Sequence, residues 1–420
     1  MGHTLAEKIL MRNTQSASCS PGDIAMTRPD KVAFLDIYAP FVYRKFKEMG
    51  FSKVFDAARV VIIQDHLLPT CLKDDSQSLR YAYRFAEEFG ISEHCVAQGI
   101  GHQLMPELRL VRPGMVVYVT DSHTTTYGAV GSFSTGIGYT EMAAVLGTGE
   151  MWVRVPSAIK IRVEGAFPEY VGAKDLILKI LGDLRADGGT YRSMEFCGST
   201  VDAMSVDSRL TISNMVVECG GKVGLFAPDE KTCAYSGVRR EEVAWLHFDE
   251  DARYERTLDY RAEELVPSLS CPQYVDNVHP VADEAGKRID QVFLGSCTNG
   301  RLEDLEVAAR ILKGKKVAPR VKFIVTPAST GIYKRAIAAG YLQTLAEAGA
   351  MITQPYCSLC QGRSGGLVSD GEVVLATNNR NFLGRMGSPQ SLIYLGSPAT
   401  AAVSAITGYI TDPRELRPQG

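Results

Sequence analysis

Three cysteines in two short turns of small residues are the most chemically suggestive feature of this sequence. Cys357 and Cys360 form a Cys-x-x-Cys pair in PYCSLCQG, and Cys297 lies upstream in GSCTNG. Structural zinc sites and electron-transfer clusters usually take four protein ligands. Three thiolates instead favour an iron–sulfur cluster with one open iron, which can act as a Lewis acid. The Cys-x-x-Cys spacing also leaves open a redox dithiol, half of a zinc site or two structural thiols.

Two Asp–His pairs are candidates for proton transfer. Asp65-His66 follows the apolar run VVII, and Asp121-Ser122-His123 follows VVYVT. An aspartate beside an imidazole fixes its tautomer and raises its basicity, which suits proton transfer near neutral pH. His102, in QGIGHQ, is a third candidate. The alternative for each pair is capping of the next turn or helix, but two pairs at equivalent strand ends favour a site.

The elements that must position these residues predict an α/β fold with mostly parallel sheets. Continuous apolar runs at 32–37, 60–63 and 115–119 predict buried strands. Helix-spaced apolar positions at 40–49 and 76–89 lie between them. Alternating strands and helices predict α/β/α layers, in which ligands collect outside the carboxyl ends of the strands.

Three such domains are predicted, over residues 1–156, 157–285 and 286–420. The second contains an amphipathic helix at 173–184 and ends in a charged, proline-containing stretch at 239–285, predicted to be an exposed connector. In the third domain, the cysteine turns and the loop NNRN each follow a strand-like run. The sequence therefore predicts that the thiolates and this loop share one edge of one sheet.

Four further polar residues are candidates near these motifs. Arg380 and Arg385 flank Gly384 and would suit bidentate capture of a carboxylate, with solvated surface arginines as the alternative. Asn214 and Glu218, in TISNMVVECG, share one face if 211–220 is a helix. A hydrogen bond on the helix surface is the alternative for that pair.

Composition narrows the class of protein. The 420 residues carry a net charge of −3 without a basic run, which argues against nucleic acid or a membrane surface as partner. No apolar stretch is long enough to span a bilayer. The N-terminus lacks the apolar core of a secretion signal, and ten scattered cysteines suggest reduced thiols, so a cytoplasmic location is predicted.

Taken together, the motifs resemble the aconitase superfamily, within its group of isopropylmalate isomerase large subunits and homoaconitases. The resemblance runs through nearly the whole chain and rests on these segments: Asp65-His66, GIGHQ, TDSHTTTYGA, AKDLILKILG, TISNMVVECG, GSCTNGRLEDL, YCSLCQG and NRNFLGRMG. Leu35 before Asp36 and the glycine at 101 depart from the usual family pattern.

The resemblance implies a role for each candidate residue. It implies that Cys297, Cys357 and Cys360 ligate a [4Fe-4S] cluster whose open iron binds substrate. Arg380 and Arg385 would hold substrate carboxylates, with Asn214, Glu218 and Asn379 close to the cluster or its hydrogen-bonded surroundings. The acid/base and solvent-handling groups would be Asp65, His66, His102, Asp121, Ser122 and His123.

The implied reaction is isomerisation of a 2-hydroxy di- or tricarboxylate by dehydration and rehydration, with 3-isopropylmalate dehydratase as the main prediction. A homoaconitase, a dimethylmalate or specialised-metabolism homologue, a cluster-free binding protein and a zinc hydrolase are the alternatives. Aconitase-like proteins also need a mobile fourth domain that brings a serine base and another arginine. Because the sequence ends at Gly420 without one, a separate small subunit is predicted to supply it.

Overall fold

The computed structural model describes residues 2–14 and 19–416, apart from the side chain of Ser358. Its strands are β1 (Ile24–Thr27), β2 (Lys31–Leu35), β3 (Val60–Gln64), β4 (Glu93–Val96), β5 (Val116–Val119), β6 (Phe133–Gly136), β7 (Met151–Arg154), β8 (Ala158–Glu164), β9 (Ser193–Cys197), β10 (Val223–Phe226), β11 (Arg256–Arg261), β12 (Ser268–Ser270), β13 (Val278–Pro280), β14 (Gln291–Leu294), β15 (Lys322–Val325), β16 (Met351–Ile352), β17 (Val373–Ala376) and β18 (Leu392–Leu395).

The α-helices are α1 (Leu5–Asn13), α2 (Ala39–Glu48), α3 (Lys73–Phe89), α4 (Gly101–Glu107), α5 (Tyr139–Thr148), α6 (Ala173–Leu184), α7 (Ser199–Ala203), α8 (Val206–Met215), α9 (Glu230–Ser236), α10 (Arg240–Val243), α11 (Val281–Glu284), α12 (Ser296–Asn299), α13 (Leu302–Leu312), α14 (Thr330–Ala338), α15 (Tyr341–Ala348) and α16 (Pro398–Thr407). Shorter 3₁₀ segments include Asp36–Tyr38, Ser122–Val130, Val216–Cys219 and Ser358–Gln361. Among the described residues, no helix combines the length and the apolar character needed to cross a lipid bilayer.

The chain divides into two compact units. The first comprises Met1–Ala97, Gly101–Glu164 and Asp187–Tyr260, and the second comprises Gln98–Ile100, Gly165–Ala186 and Arg261–Gly420. The predicted α/β class with mostly parallel sheets is confirmed, since most strand pairs in the large sheets are parallel. The division into three domains at 156 and 285 stays a prediction.

A five-stranded parallel sheet in the order β4-β3-β2-β5-β6 forms the first layer of the first unit. It is covered on both faces, because alternate residues of its strands pack into two different apolar clusters. Val32 and Phe34 of β2 belong to one cluster, whereas Ala33 and Leu35 belong to the other. The continuous apolar runs read from the sequence are therefore buried strands, as predicted.

The first unit contains a second sheet in the order β10-β9-β8-β11, and β1 pairs with β7 in a two-stranded ribbon. The 3₁₀ segment Ser122–Val130 packs against β10. A Cβ atom at Gly128 would lie 1.9 Å from the carbonyl oxygen of Gly224. Glycine is therefore needed for this close approach, which fixes the segment that begins with Ser122 and His123.

The second unit is built on a seven-stranded sheet in the order β13-β12-β18-β17-β14-β15-β16. Strands β18, β17, β14, β15 and β16 are parallel, and β12 and β13 add an antiparallel edge. The carboxyl ends of the parallel strands therefore point the same way, as the sequence predicts for the loops that carry the cysteines.

Two predictions of local structure are wrong. Residues 211–220 do not form one α-helix, because α8 ends at Met215 and Val216–Cys219 is a 3₁₀ turn closed by Gly220 in the left-handed region. The stretch 239–285 is not a continuous exposed connector. Its strand β11 is largely exposed, but Ser268–Ser270 is a buried strand of the large sheet.

Candidate functional site

The predicted site residues fall into two groups, which are described separately. The first group lies in the first unit, at the ends of its parallel strands. Strand β3 ends at Gln64 and runs directly into Asp65 and His66. Strand β5 is followed by Asp121, which caps the 3₁₀ segment by accepting a hydrogen bond from the His123 amide. The two Asp–His motifs thus occupy equivalent positions after parallel strands, as predicted.

Asp65 and His66 form a buried ion pair. Asp65 Oδ1 lies 2.6 Å from His66 Nδ1, and Asp65 Oδ2 accepts the Gly101 amide at 2.8 Å. Burial alone would lower the pKa of His66, but the Asp65 carboxylate outweighs it and raises the pKa of His66 to about 9. The imidazole therefore carries a proton at neutral pH, and the contact with Asp65 fixes the orientation of the ring.

Asp36 organises the turn that carries this pair. Its carboxylate accepts hydrogen bonds from the amides of His66 and Leu67, at 3.1 and 2.9 Å. Burial and the neighbouring Asp65 charge raise the pKa of Asp36 to about 7. Asp36, Asp65 and His66 are close enough to share a cation, but their hydrogen bonds to one another and to main-chain amides already account for this arrangement.

The other predicted acid/base groups form a chain of alternating carboxylates and imidazoles. His102 Nε2 lies 2.7 Å from Asp121 Oδ1, and the same oxygen lies 3.4 Å from His123 Nδ1. His123 Nε2 lies 2.8 Å from Glu218 Oε1. Burial opposes a charge on Asp121, but His102 and His123 together hold the pKa of Asp121 well below its usual value.

Asn214 supports this chain from α8. Its side-chain amide donates to Thr126 Oγ1 at 2.8 Å, and Thr126 Oγ1 donates to the carbonyl of His123. Ser122 is the first residue of the 3₁₀ segment and is partly exposed. A chain of this kind can store a proton and pass it on, because each imidazole contacts a carboxylate and His123 lies between two of them.

The second group lies in the second unit, after strands of the seven-stranded sheet. Cys297 follows β14, and Cys357 and Cys360 follow β16 in and before the 3₁₀ turn Ser358–Gln361. The loop with Asn379 and Arg380 follows β17. All three cysteines are buried.

Side-chain donors converge on the sulfur atoms of two of these cysteines. Asn379 Nδ2 donates to Cys297 Sγ at 3.4 Å. Asn378 Nδ2 and Arg385 Nη2 donate to Cys360 Sγ at 3.7 and 3.8 Å. Donors directed at sulfur stabilise thiolates, and a thiolate is the form of cysteine that binds metal.

Ser296 joins the two cysteine loops. Its hydroxyl oxygen lies 3.7 Å from Cys297 Sγ and 3.6 Å from Cys360 Sγ. Its φ is +76°, a left-handed conformation that costs roughly 1–3 kcal/mol for a residue other than glycine. The surrounding contacts hold this strained turn in place, so Cys297 is aimed at the Cys-x-x-Cys turn.

The donor set of the cysteine loops suits an iron–sulfur cluster. Among the described residues, the three cysteine sulfur atoms do not form a group within 4.8 Å of one another. Around one tetrahedral zinc ion, sulfur ligands at about 2.3 Å from the metal would lie about 3.8 Å apart. At least one pair of these sulfur atoms is therefore farther apart than around one zinc ion. Three thiolates are also one short of the four protein ligands of a structural zinc site.

The two predicted arginines are partly buried. Arg385 contacts Cys360 as described, and the guanidinium of Arg380 lies 5.9 Å from the ring centroid of Phe382. Phe382 and Leu383, between them, are exposed. The arginines therefore lie on either side of two exposed apolar residues, whereas Asn381 of the same loop is buried. Partly buried guanidinium groups suit binding of an anionic ligand.

Several residues of these groups were missed from the sequence. Tyr127 donates or accepts at His102 Nδ1, 3.2 Å away, and Ser296, Asn378 and Lys174 lie among the cysteine loops. The one usable signal was a lysine within the apolar pattern of helix α6, where a charged side chain is unusual. Asp36 appears in the sequence analysis only because Leu35, the residue before it, departs from the family pattern; its contact with the Asp65–His66 turn was not predicted.

Comparisons with known proteins found relatives along nearly the whole chain. The sequence matches the model of the Aconitase family (aconitate hydratase) over residues 7–288 and 282–408. The 3-isopropylmalate dehydratase large subunit of Nitratidesulfovibrio vulgaris is 44% identical over 418 residues, covering 99% of this chain and 100% of that protein. The 3-isopropylmalate dehydratase large subunit 2 of Archaeoglobus fulgidus is 45% identical over 418 residues, with the same coverage.

A solved structure shares the fold. The crystal structure of Thermococcus kodakaraensis aconitase X (holo-form) matches with a TM-score of 0.50 and 13% sequence identity, covering 84% of each chain. At that identity the likeness concerns the fold alone. Since the family match spans most of the sequence and the relatives match along their whole length, the predicted resemblance is confirmed, and this chain belongs to the aconitase family.

Proposed function

We propose that this chain is the large, catalytic subunit of an iron–sulfur hydro-lyase, a 3-isopropylmalate dehydratase. Relatives that carry this name are 44–45% identical along their full length. Membership of the aconitase family implies an iron–sulfur cluster. The observation that carries the proposal is the convergence of side-chain donors from Asn379, Asn378 and Arg385 on the buried sulfur atoms of Cys297 and Cys360.

The ligands of that cluster are proposed to be Cys297, Cys357 and Cys360, and its type [4Fe-4S]. Held by three protein thiolates, the cluster would have one iron open to the substrate and would supply Lewis-acid polarisation of its departing hydroxyl group. The protein supplies the hydrogen bonds to sulfur and the burial that set the properties of the cluster.

The substrate carboxylates are proposed to bind to Arg380 and Arg385, helped by Asn379 and Asn214. A guanidinium presents two parallel N–H donors that match the two oxygens of a carboxylate. The exposed neighbours Phe382 and Leu383 keep this loop apolar on its outer side. A fixed carboxylate would orient the carbon atoms between which the hydroxyl group moves.

His66 is the proposed proton donor to the departing hydroxyl group. Asp65 raises the pKa of His66 to about 9, so the proton is present at neutral pH, and its contact with Nδ1 fixes the orientation of the ring. The chain of His102, Asp121, His123 and Glu218 is proposed to store and return protons, with Ser122 handling water.

A separate small subunit is the proposed partner. It would carry the mobile fourth domain and supply the serine base that removes the proton from the carbon next to the hydroxyl group. The names of the relatives, which are large subunits, support this proposal. A cytoplasmic location is also proposed, since all ten cysteines are free thiols, as in a reducing compartment.

The test is anaerobic reconstitution of the purified chain with iron and sulfide. We expect a brown protein with broad visible absorption and, after addition of a 3-isopropylmalate dehydratase small subunit, ultraviolet absorbance of the enoate formed from 3-isopropylmalate. Homocitrate, citrate and 2,3-dimethylmalate serve as comparison substrates. A colourless protein that binds stoichiometric zinc would contradict the proposal, and turnover of another substrate alone would replace the proposed one.

A further inference from the structure

Lys174 is a buried cation whose role is not explained by helix formation. It lies in α6 and is 2% exposed. Its ammonium group donates hydrogen bonds to the main-chain carbonyl oxygens of Thr377 and Asn378, at 2.8 and 2.6 Å. Burying an ammonium group costs several kcal/mol unless its donors are satisfied. A lysine in this position therefore indicates a specific use of its charge.

The two carbonyl groups belong to the loop that contacts both cysteine turns. Directly after Thr377, Asn378 donates to the sulfur of Cys360, and Asn379 donates to the sulfur of Cys297. Lys174 thus fixes the main chain from which both amide side chains extend. If the loop shifted, both hydrogen bonds to sulfur would be lost together.

Arg301 makes the same kind of contact with the other loop. It is fully buried, and its guanidinium donates to the carbonyl oxygens of Cys297 and Thr298, each at 2.5 Å. Asp304 accepts the Arg301 amide at 2.9 Å. Two buried cations therefore hold, through main-chain carbonyl groups, the loops that carry the ligands and their hydrogen-bond donors.

We propose that Lys174 is a positioning residue of the cluster site: it holds the 377–379 loop against Cys297 and Cys360 and places a buried positive charge behind their sulfur atoms. The proposal rests on the proposed ligation of the cluster by these cysteines. Burial lowers the pKa of Lys174 to about 7, and the neighbouring Asp304, Cys297 and Cys360 oppose this shift by favouring the charged form. Because a nearby positive charge favours the more negative, reduced state of a cluster, its removal should lower the reduction potential.

The first test uses the chain without its cluster. Hydrogen exchange of the amides at 374–381 should be about tenfold faster in Lys174→Met, since charge-assisted hydrogen bonds that hold the loop are lost. Lys179→Met is the matched control, because Lys179 lies on the same helix, is exposed and pairs with Asp183. Equal exchange in Lys174→Met and the unsubstituted chain would overturn the positioning role.

The second test uses the reconstituted chain and measures the midpoint potential by an electron paramagnetic resonance titration, together with iron retention on dialysis. We expect a lower potential and roughly 10–100-fold weaker retention of iron in Lys174→Met, as for other groups that support metal ligands. Lys174→Arg should restore the potential in part, because it keeps the charge. A potential unchanged in Lys174→Met would overturn the proposed role of the charge.

If thermal unfolding shows that Lys174→Met does not fold, Lys174→Gln takes its place. Lys174→Gln keeps a hydrogen-bond donor but removes the charge. The midpoint potential of its cluster should therefore fall, while hydrogen exchange at 374–381 should rise less than in Lys174→Met. A midpoint potential equal to that of the unsubstituted chain would contradict the proposal. Failure of the unsubstituted chain to take up a cluster would overturn the proposed function and this inference together. Normal uptake with no effect of Lys174 variants overturns the inference alone.

Discussion

His102 Nε2 lies 2.7 Å from Asp121 Oδ1; the His102 side chain is buried, and that of Asp121 is half-buried. Burial by itself would favour a neutral Asp121, yet the contacts with His102 and His123 hold the pKa of Asp121 well below its usual value. The carboxylate is therefore charged at every pH at which the enzyme would work. Its charge is what allows one residue to orient two imidazoles.

Removing this charge should impair turnover without releasing the cluster. Asp121→Asn is expected to lower kcat by roughly 100-fold to 10,000-fold, the usual contribution of general acid–base groups. Iron and sulfide content should stay unchanged. Asp187→Asn, at an exposed position of the same unit, is the control. An active Asp121→Asn enzyme would show that the His102–Asp121–His123 chain does not carry protons.

The protonation of His66 should appear in the pH profile. Because Asp65 raises the pKa of His66 to about 9, the imidazolium is present below that pH and is lost as the pH rises through it. Activity should therefore fall on the alkaline side with a midpoint near pH 9. Asp65→Asn should move this alkaline limb to lower pH, because the neighbouring negative charge is gone. An alkaline limb that does not move in Asp65→Asn would contradict the assignment of His66 as proton donor.

Loss of one proposed ligand should abolish the cluster. Cys360→Ser is expected to give a colourless protein after reconstitution, with iron and sulfide close to background, since a hydroxyl group is a poor substitute for a thiolate. Cys233→Ala removes another buried cysteine, in α9, and should leave the visible spectrum unchanged. A full visible spectrum in Cys360→Ser would exclude this cysteine as a ligand.

An ion pair in the first unit should contribute to the free energy of unfolding in a way that depends on pH in the acid range. Arg209 is almost fully buried and forms an ion pair with Asp229. Burial opposes the charge of Asp229, but Arg209 outweighs it and lowers the pKa of Asp229 to about 2. The stabilisation is therefore complete above the usual pKa of 3.8 and is lost as the pH falls towards 2.

Asp229→Asn separates this charge effect from the N-cap of α9, since asparagine can still accept the Thr232 amide. Because Asp229 is partly exposed, we expect a loss of only about 1–2 kcal/mol in the free energy of unfolding at neutral pH. The difference should shrink as the pH approaches that at which Asp229 is protonated. Urea unfolding at several pH values measures it, and a loss independent of pH would point to packing instead.

Much of the fold could be predicted because the burial of a strand or helix determines the pattern of apolar residues along it. Strands buried on both faces need continuous apolar runs, so β2, β3 and β5 were predicted within one or two residues. Helix α3 ends at Phe89, the last residue of the predicted range, and is followed by Gly90 in the left-handed region. The buried strand Ser268–Ser270 was missed, because three residues among prolines and charges carry no periodic signal.

The partners of the polar residues were less predictable. Asn214 and Glu218 were placed on one helical face, but the change to a 3₁₀ turn after Met215 breaks that spacing. Glu218 instead pairs with His123, 95 positions away in the sequence. The contact of Lys174 with Asn378 spans 204 positions. Such pairs depend on how sheets and helices pack, which no local pattern records.

The order of residues was enough to identify the kinds of side chain that do the chemistry and to place them after parallel strands. The sequence identified the three cysteines, the two Asp–His motifs and the Asn/Arg loop as groups that follow strands. This was possible because strand ends and turns are recognised from neighbouring residues alone. Only the tertiary structure decided which groups are charged. That depends on burial and on distances of a few ångströms between residues remote in sequence, as for the imidazolium of His66 and the carboxylate of Asp121.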